Sequence, residues 1–178
     1  MPSVLEPCRY RIAAEDRIVS VNEAWLDFAA MNGAPHLTLA TVLGRPVWQF
    51  VTGSTTLALY RQLFAELRDS RDEVVLPFRC DSPDTERQME LVCRPMAHSA
   101  IELEGRLVAQ KLRTTAPPRS ARPPGTLRAC PSCKRFRGRA EWLEARILIV
   151  RESLFTRNTS PALEEQLCED CARLAAPP

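Results

Sequence analysis

Ile18-Val19-Ser20-Val21-Asn22-Glu23-Ala24-Trp25 is the stretch on which the fold turns. Its first four residues are mostly β-branched and favour a strand. Asn22 then stands where a helix N-cap belongs, with a side-chain oxygen that can accept from the first free amides of the next turn. Residues 23–31 place Ala24, Trp25, Phe28 and Ala29 on one helical face. Asn32-Gly33 ends that helix, since glycine takes the left-handed conformation at little cost. Upstream, Tyr10-Arg11-Ile12-Ala13 reads as a strand and Ala14-Glu15-Asp16-Arg17 as a polar turn, so the first two strands pair.

Downstream, Gly44-Arg45-Pro46 breaks the chain before Val47-Trp48-Gln49-Phe50-Val51, and Thr52-Gly53-Ser54 opens a longer helix. Leu57, Tyr60, Leu63, Phe64 and Leu67 recur at helical spacing through about Arg68. Residues 73–80 alternate, with Val74, Leu76, Phe78 and Cys80 on one side. Residues 87–95 do the same with Met89, Leu91 and Cys93, and residues 105–112 supply a last strand. Residues 81–85, rich in Asp, Ser and Pro, form the intervening turn. In that hairpin Cys80 falls opposite about Met89. It is then about four residues from Cys93, or ~13 Å at ~3.3 Å per residue, too far for a disulfide. Cys8, Cys80 and Cys93 read as isolated thiols. Residues 9–113 are therefore expected to be an α+β domain, an antiparallel five-stranded sheet with flanking helices.

The C-terminal quarter carries a different chemistry. Cys130-Pro131-Ser132-Cys133 and Cys168-Glu169-Asp170-Cys171 are two Cys-x2-Cys pairs separated by 34 residues, with no cysteine between them. Each pair can grip one metal ion from a tight turn, and two pairs complete a tetrahedral four-thiolate shell, the usual structural zinc site. With all four positions thiolate, no place remains for a substrate, so a structural metal is expected; iron in the same shell is the alternative. A tail this small has too little core to fold reliably alone, and metal binding contributes about 10–16 kcal/mol of folding energy in small modules. Residues 141–155 place Leu143, Ile147, Val150 and Leu154 on one helical face. Ser160-Pro161 reads as the N-cap and first position of a second helix bearing Cys168 and Cys171. The expectation is a small helical four-cysteine zinc module over residues 129–175. A Pro/Arg-rich linker, residues 114–128, separates it from the first domain or lets it swing.

The chain has 178 residues, a net charge of +2, 45% apolar and 26% charged residues, which suits one soluble domain plus a small module. Nine basic and no acidic residues fall in residues 111–139. That run reads first as a solvated linker and second as a nucleic-acid contact. Glu164, Glu165, Glu169 and Asp170 around the second cysteine pair disfavour the latter. Residues 1–12 lack the apolar core of a signal peptide, and no apolar run approaches the roughly 18 residues of a membrane span. A cytoplasmic protein without membrane contact is expected, in a compartment where disulfides are rare. No triad, phosphate loop or paired-carboxylate motif stands out, so no enzyme is expected. A thiol oxidoreductase would need its Cys-x2-Cys at a helix start after a strand, and neither pair follows a predicted strand. Trp25, Phe28, Trp48 and Phe50 are candidates for the wall of a small-ligand pocket, with core packing the plainer reading. His36 and His98 fall in or beside predicted loops and read as surface residues.

The order strand, strand, short helix, loop, long helix, three strands resembles a PAS domain, a small sensory fold of bacterial signalling proteins. The likeness is carried by Ile18-Val19-Ser20-Val21-Asn22-Glu23-Ala24-Trp25, by Val42-Leu43-Gly44-Arg45-Pro46-Val47-Trp48 and by Leu76-Pro77-Phe78-Arg79-Cys80-Asp81-Ser82-Pro83. The tail resembles the end segment of many PAS-containing bacterial regulators at Cys130, Cys133, Lys134, Trp142, Glu144, Cys168 and Cys171. Where that segment carries Ser-His-Gly, this chain has Glu164-Glu165-Gln166-Leu167. The resemblance implies a stand-alone signalling protein. Its first half would sense a small ligand or a partner, its zinc tail would dock a signalling protein or a second copy, and the shift would pass through residues 108–112 into the linker.

Overall fold

In a computed structural model, which describes residues 6–113, 125–157 and 159–175, Asn22 caps the first helix. Its side-chain oxygen accepts from the amides of Trp25 (3.1 Å) and Arg9 (2.9 Å), and its NH2 group donates to the Pro7 carbonyl (2.9 Å). One side chain thus joins the start of α1 (Glu23–Met31) to β1 (Cys8–Ile12), while β2 (Ile18–Val21) runs straight into the cap. Gly33, at φ +85°, takes the chain away from the helix end.

There follow α2 (Leu39–Val42), a 3-10 turn at Val47–Phe50 and the long α3 (Ser54–Ser70). Strands β3 (Val74–Arg79), β4 (Thr85–Pro95) and β5 (Ile101–Leu112) complete this half. The five strands form one antiparallel sheet in the order β2-β1-β5-β4-β3, so the last strand lies in the middle beside the first, with Ile12 opposite Ile101. Alternation sends Ile12, Leu76, Leu91, Cys93 and Leu103 to one face. Leu59, Leu63, Phe64 and Leu67 of α3 join them in the buried core. The mixed α+β architecture with a five-stranded antiparallel sheet is as expected. The hairpin register is not: Ser82 and Thr85 pair (2.9 Å), which turns the chain on Pro83-Asp84, so Cys80 meets Arg87 and Cys93 meets Val74. The two thiols lie further apart than expected, and both are free.

The other face of the sheet carries charge. Buried Glu104 accepts from Arg9 (2.9 Å), Arg94 (3.3 Å) and Arg106, and Glu102 pairs with Arg11 (2.7 Å). Burial opposes ionisation of Glu104, but the guanidinium groups around it outweigh burial and hold the carboxyl below its ordinary range.

Residues 125–175 depart from the expected helical module. β6 (Thr126–Ala129), β7 (Phe136–Arg137), β8 (Trp142–Leu143) and β9 (Ala162–Glu165) form a four-stranded sheet in the order β8-β7-β6-β9, with β9 parallel to β6. The helices are short: α4 (Ala145–Arg151), a 3-10 turn at Leu154–Thr156 and α5 (Glu169–Ala175). Thr126–Ala129 is a strand that begins inside the span 114–128 read as linker and ends at the first residue of the expected zinc module; residues 114–124 lie outside the described residues. The helix expected over residues 141–155 begins only at Ala145, because Trp142 and Leu143 pair with Arg137 and Phe136. It ends at Arg151, before Ser153 takes a left-handed φ of +49°. Its buried face is Ala145, Leu148 and Ile149, whereas Val150 is exposed. Ser160-Pro161 caps no helix: the Pro161 carbonyl accepts from the buried hydroxyl of Thr55 (2.6 Å), and the next residues extend the edge of β6. Gly138 serves close approach, since a Cβ there would lie 3.0 Å from Leu143 Cδ1.

The tail is packed onto α3. Glu66 accepts from the amides of Ala145 (2.7 Å) and Arg146 (3.0 Å), capping α4 from another element. Tyr60 stacks on Phe155 with ring centroids 4.8 Å apart, and Arg146 pairs with Asp72 (3.2 Å). Leu127, Phe136, Leu143, Leu148 and Ile149 belong to the same buried cluster as Leu63 and Leu67.

Two outcomes are expected. Glu66→Ala should cost about 1–2 kcal/mol in denaturant unfolding, as loss of a cap does, and should speed amide exchange at Ala145 and Arg146 first. Because the folded pKa of Glu104 is lowered, its contribution is fully present above its ordinary value of 4.5 and is lost as pH falls through the folded value. Glu104→Gln should therefore lower stability at neutral pH and flatten the acid limb of the stability–pH curve.

Candidate metal centre

The first cysteine pair sits in a turn that backbone bonds define. β6 ends at Ala129, the Cys130 amide donates to the Arg135 carbonyl (2.8 Å), and the Lys134 amide donates to the Cys130 carbonyl (3.0 Å). Lys134 adopts a left-handed φ of +62°, and its ammonium donates back to the Pro131 carbonyl (2.6 Å). The second pair comes from a helix start: Cys168 immediately precedes α5 and Cys171 lies in its first turn. The parallel pairing of β6 with β9 brings the pairs together, extended by the Gln166 amide on the Ala129 carbonyl (2.9 Å).

The four sulfurs lie within 4.8 Å of one another, and Cys133 Sγ is 3.7 Å from Cys168 Sγ. A tetrahedron with ~2.3 Å metal–sulfur bonds has edges of about 3.8 Å. A disulfide requires about 2.05 Å, and all seven cysteines are free thiols. Cys130, Cys133, Cys168 and Cys171 thus form one cluster that can hold a metal ion. Cys130 and Cys168 are buried, whereas Cys133 is exposed.

The backbone prepares this cluster for charge. Burial raises the Cys130 thiol, but amides of Cys168, Cys133 and Ser132 aimed at its sulfur more than reverse this and bring it down to about 6. Cys133 is pushed up to about 12, first by desolvation and then by the neighbouring thiols. Four sulfurs this close cannot all ionise unaided, and a bound cation supplies the missing charge. Trp142 supports the arrangement: its indole N–H donates to Glu169 (2.6 Å) on α5, and Arg137 lies over its ring.

Each cysteine pair does follow a strand, Cys130 directly after β6 and Cys168 just beyond β9, contrary to the sequence expectation. What distinguishes the site from a redox dithiol is the convergence of four thiols. Four of the seven described basic residues of the run face carboxylates: Lys111 with Glu86 (3.2 Å), Arg113 with Asp81 (2.6 Å), Arg137 with Glu169 (3.8 Å) and Arg139 with Glu152 (3.3 Å). Arg119 and Arg122 lie outside the described residues. His36 and His98 are exposed.

The four aromatic candidates share no single pocket. Phe28 lines a cavity of about 730 Å³ between α1 and strands β4 and β5. Phe50 lines another of about 500 Å³ between the sheet, α3 and the tail. Trp48 packs on Phe64 (5.4 Å) beneath Arg61, and Trp25 is partly buried against the core. Sequence reasoning missed Glu66 and Thr55, which bind the tail only through the tertiary fold, and Gly138, whose role depends on what lies opposite.

No protein-family model matches the chain, and no match is found among curated proteins. Among the described residues no helix is long and apolar enough to cross a membrane.

Because the cluster belongs to a module that shares its core with α3, Cys168→Ser is expected to lose the metal and lower the melting temperature of the whole chain in a single calorimetric transition. Two separate transitions, with only the smaller one shifted, would contradict that cooperativity.

Proposed function

We propose that the chain is a PAS-like signalling protein whose first half senses a small ligand or partner and whose four-cysteine module holds one structural zinc and presents a surface to another protein. The observation that carries this reading is the sheet order β2-β1-β5-β4-β3 with α3 packed on one face, together with a cavity at each end of that face. Zinc is favoured by the all-sulfur donor set and by a sulfur separation close to a tetrahedral edge. Four protein donors leave no position for a substrate, so the metal organises structure rather than catalysing a reaction. When bound, a zinc ion would offset half of the charge of the four thiolates and so keep them deprotonated. The chain's own residues do the rest: the amides around Cys130 orient one sulfur, and Trp142 and Glu169 hold the helix that carries Cys171.

A cytoplasmic setting suits the free thiols. The signal would leave along β5, whose end is anchored where Arg113 donates to Asp81 (2.6 Å) and its amide to the Asp84 carbonyl (2.8 Å). A nucleic-acid regulator is less favoured, because four of the seven described basic residues of the run face carboxylates and Glu164, Glu165, Glu169 and Asp170 surround the second cysteine pair. A thiol oxidoreductase is less favoured because its dithiol would be masked.

Protein purified without added metal is expected to carry one zinc per chain by elemental analysis, with four thiols that react only after chelation. In the same preparation, light scattering and small-molecule thermal shifts should reveal a dimer or a stabilising ligand. Metal-free protein with reactive thiols would overturn the zinc reading. A metal-loaded monomer that no ligand or partner stabilises would overturn the sensory one.

A further inference from the structure

We propose that the cavity of about 500 Å³ between the two halves binds a small, largely apolar molecule bearing one anionic group, and that the metal-closed tail forms its outer wall. This rests on reading the first half as a sensory domain. The sheet contributes Tyr10 and Phe78, the 3-10 turn contributes Phe50, α3 contributes Tyr60, and the tail contributes Phe155 and Arg157. The size suits a compact ring system. Burial raises both phenols above their ordinary range, so at neutral pH they offer neutral O–H groups.

The charge balance selects an anion. Arg79 also lines the cavity; Asp81 (2.6 Å) and Glu86 (3.8 Å) face it, but Asp81 is shared with Arg113 (2.6 Å) and Glu86 with Lys111 (3.2 Å), and the buried Nε of Arg79 has no partner. Arg157 shares the single carboxylate of Glu152 (3.7 Å) with Arg139 (3.3 Å), which leaves one positive charge in excess at that end. The larger cavity beneath α1 has the opposite character. Glu6, Glu23 and Asp27 line it, and the one guanidinium among its described lining residues, Arg87, is held by Asn32 (2.9 Å) and the Cys80 carbonyl (3.3 Å).

The outer wall depends on the metal. Phe155 and Arg157 lie within the 34 residues between Cys133 and Cys168, the loop that a bound ion closes. The stack of Tyr60 on Phe155 and the Thr55 bond to Pro161 hold that loop against α3. Releasing the ion restores loop entropy and loosens the wall. By thermodynamic reciprocity, a ligand in the cavity strengthens retention of the metal.

The test titrates 4-hydroxybenzoate and its uncharged analogue 4-hydroxybenzyl alcohol into the full-length, metal-loaded protein, with binding located by NMR chemical shifts. The carboxylate probe should shift Tyr60, Phe155 and Arg157 and bind about tenfold more tightly than the alcohol, the scale of one charge-assisted hydrogen bond. Arg157→Gln, a change at an exposed position, should weaken the carboxylate probe several-fold more than the alcohol and so shrink that preference. Chelation should weaken both probes. Shifts confined to Phe28, Met31 and Leu107 would put the site beneath α1 and overturn the proposal while leaving the sensory reading intact. Binding of neither probe at any site would overturn the proposal and count against the sensory reading as well. Affinity indifferent to chelation would remove the tail from the site.

Discussion

Glu66 holds the two halves of the chain in one structure. Its carboxylate receives the first two amides of α4, a helix of seven residues that no side chain of its own caps. A helix that short gains little from its own hydrogen bonds and persists through packing. α4 therefore exists as part of the tertiary fold, with Leu148 and Ile149 buried in the cluster that contains Leu63 and Leu67. α3 faces the sheet with one side and the tail with another, so neither core is complete without it.

The metal centre inherits this dependence. Its two cysteine pairs are set side by side by β6 and β9, a parallel pairing that needs a long crossover, here filled by the β7–β8 hairpin, α4 and the turn at Leu154–Thr156. Closing so long a loop costs entropy that a metal ion bound at its ends offsets. The same loop carries Phe155 onto Tyr60. The thiol cluster at one end of the module and packing against α3 at the other are properties of one segment.

The middle position of β5 ties the two edges of the sheet together. β5 pairs with β1 and β4 at once, and its last residues meet the turn between β3 and β4. There Asp81 receives Arg79, Arg113 and the Arg87 amide. Burial disfavours the Asp81 carboxylate, but those donors prevail and keep it below its ordinary range. The turn between β3 and β4 is thus pinned to the end of β5, where the chain leaves the sheet.

Most of the first half was legible as sequence because its signals are local. Asn22 before a helical apolar face, alternation through residues 73–80 and 87–95, and helical spacing from Leu63 to Leu67 each report on neighbours a few residues away. The cysteine spacing was equally legible, since each pair grips from one turn. The tail was not. Its apolar residues fit a helix over residues 141–155, and Ser160-Pro161 fits a cap, yet Trp142 and Leu143 joined a hairpin and residues 162–165 joined a strand more than 30 residues away. Local preferences there were weak, and pairing with distant edges outweighed them. Residue type and short-range spacing determined the elements of the first half and the identity of the four thiols. Only the tertiary structure decided that the thiols close a loop packed on α3, because that outcome depends on the Glu66 carboxylate, the Thr55 hydroxyl and the Tyr60 ring, whose partners lie about 80 to 106 residues along the chain.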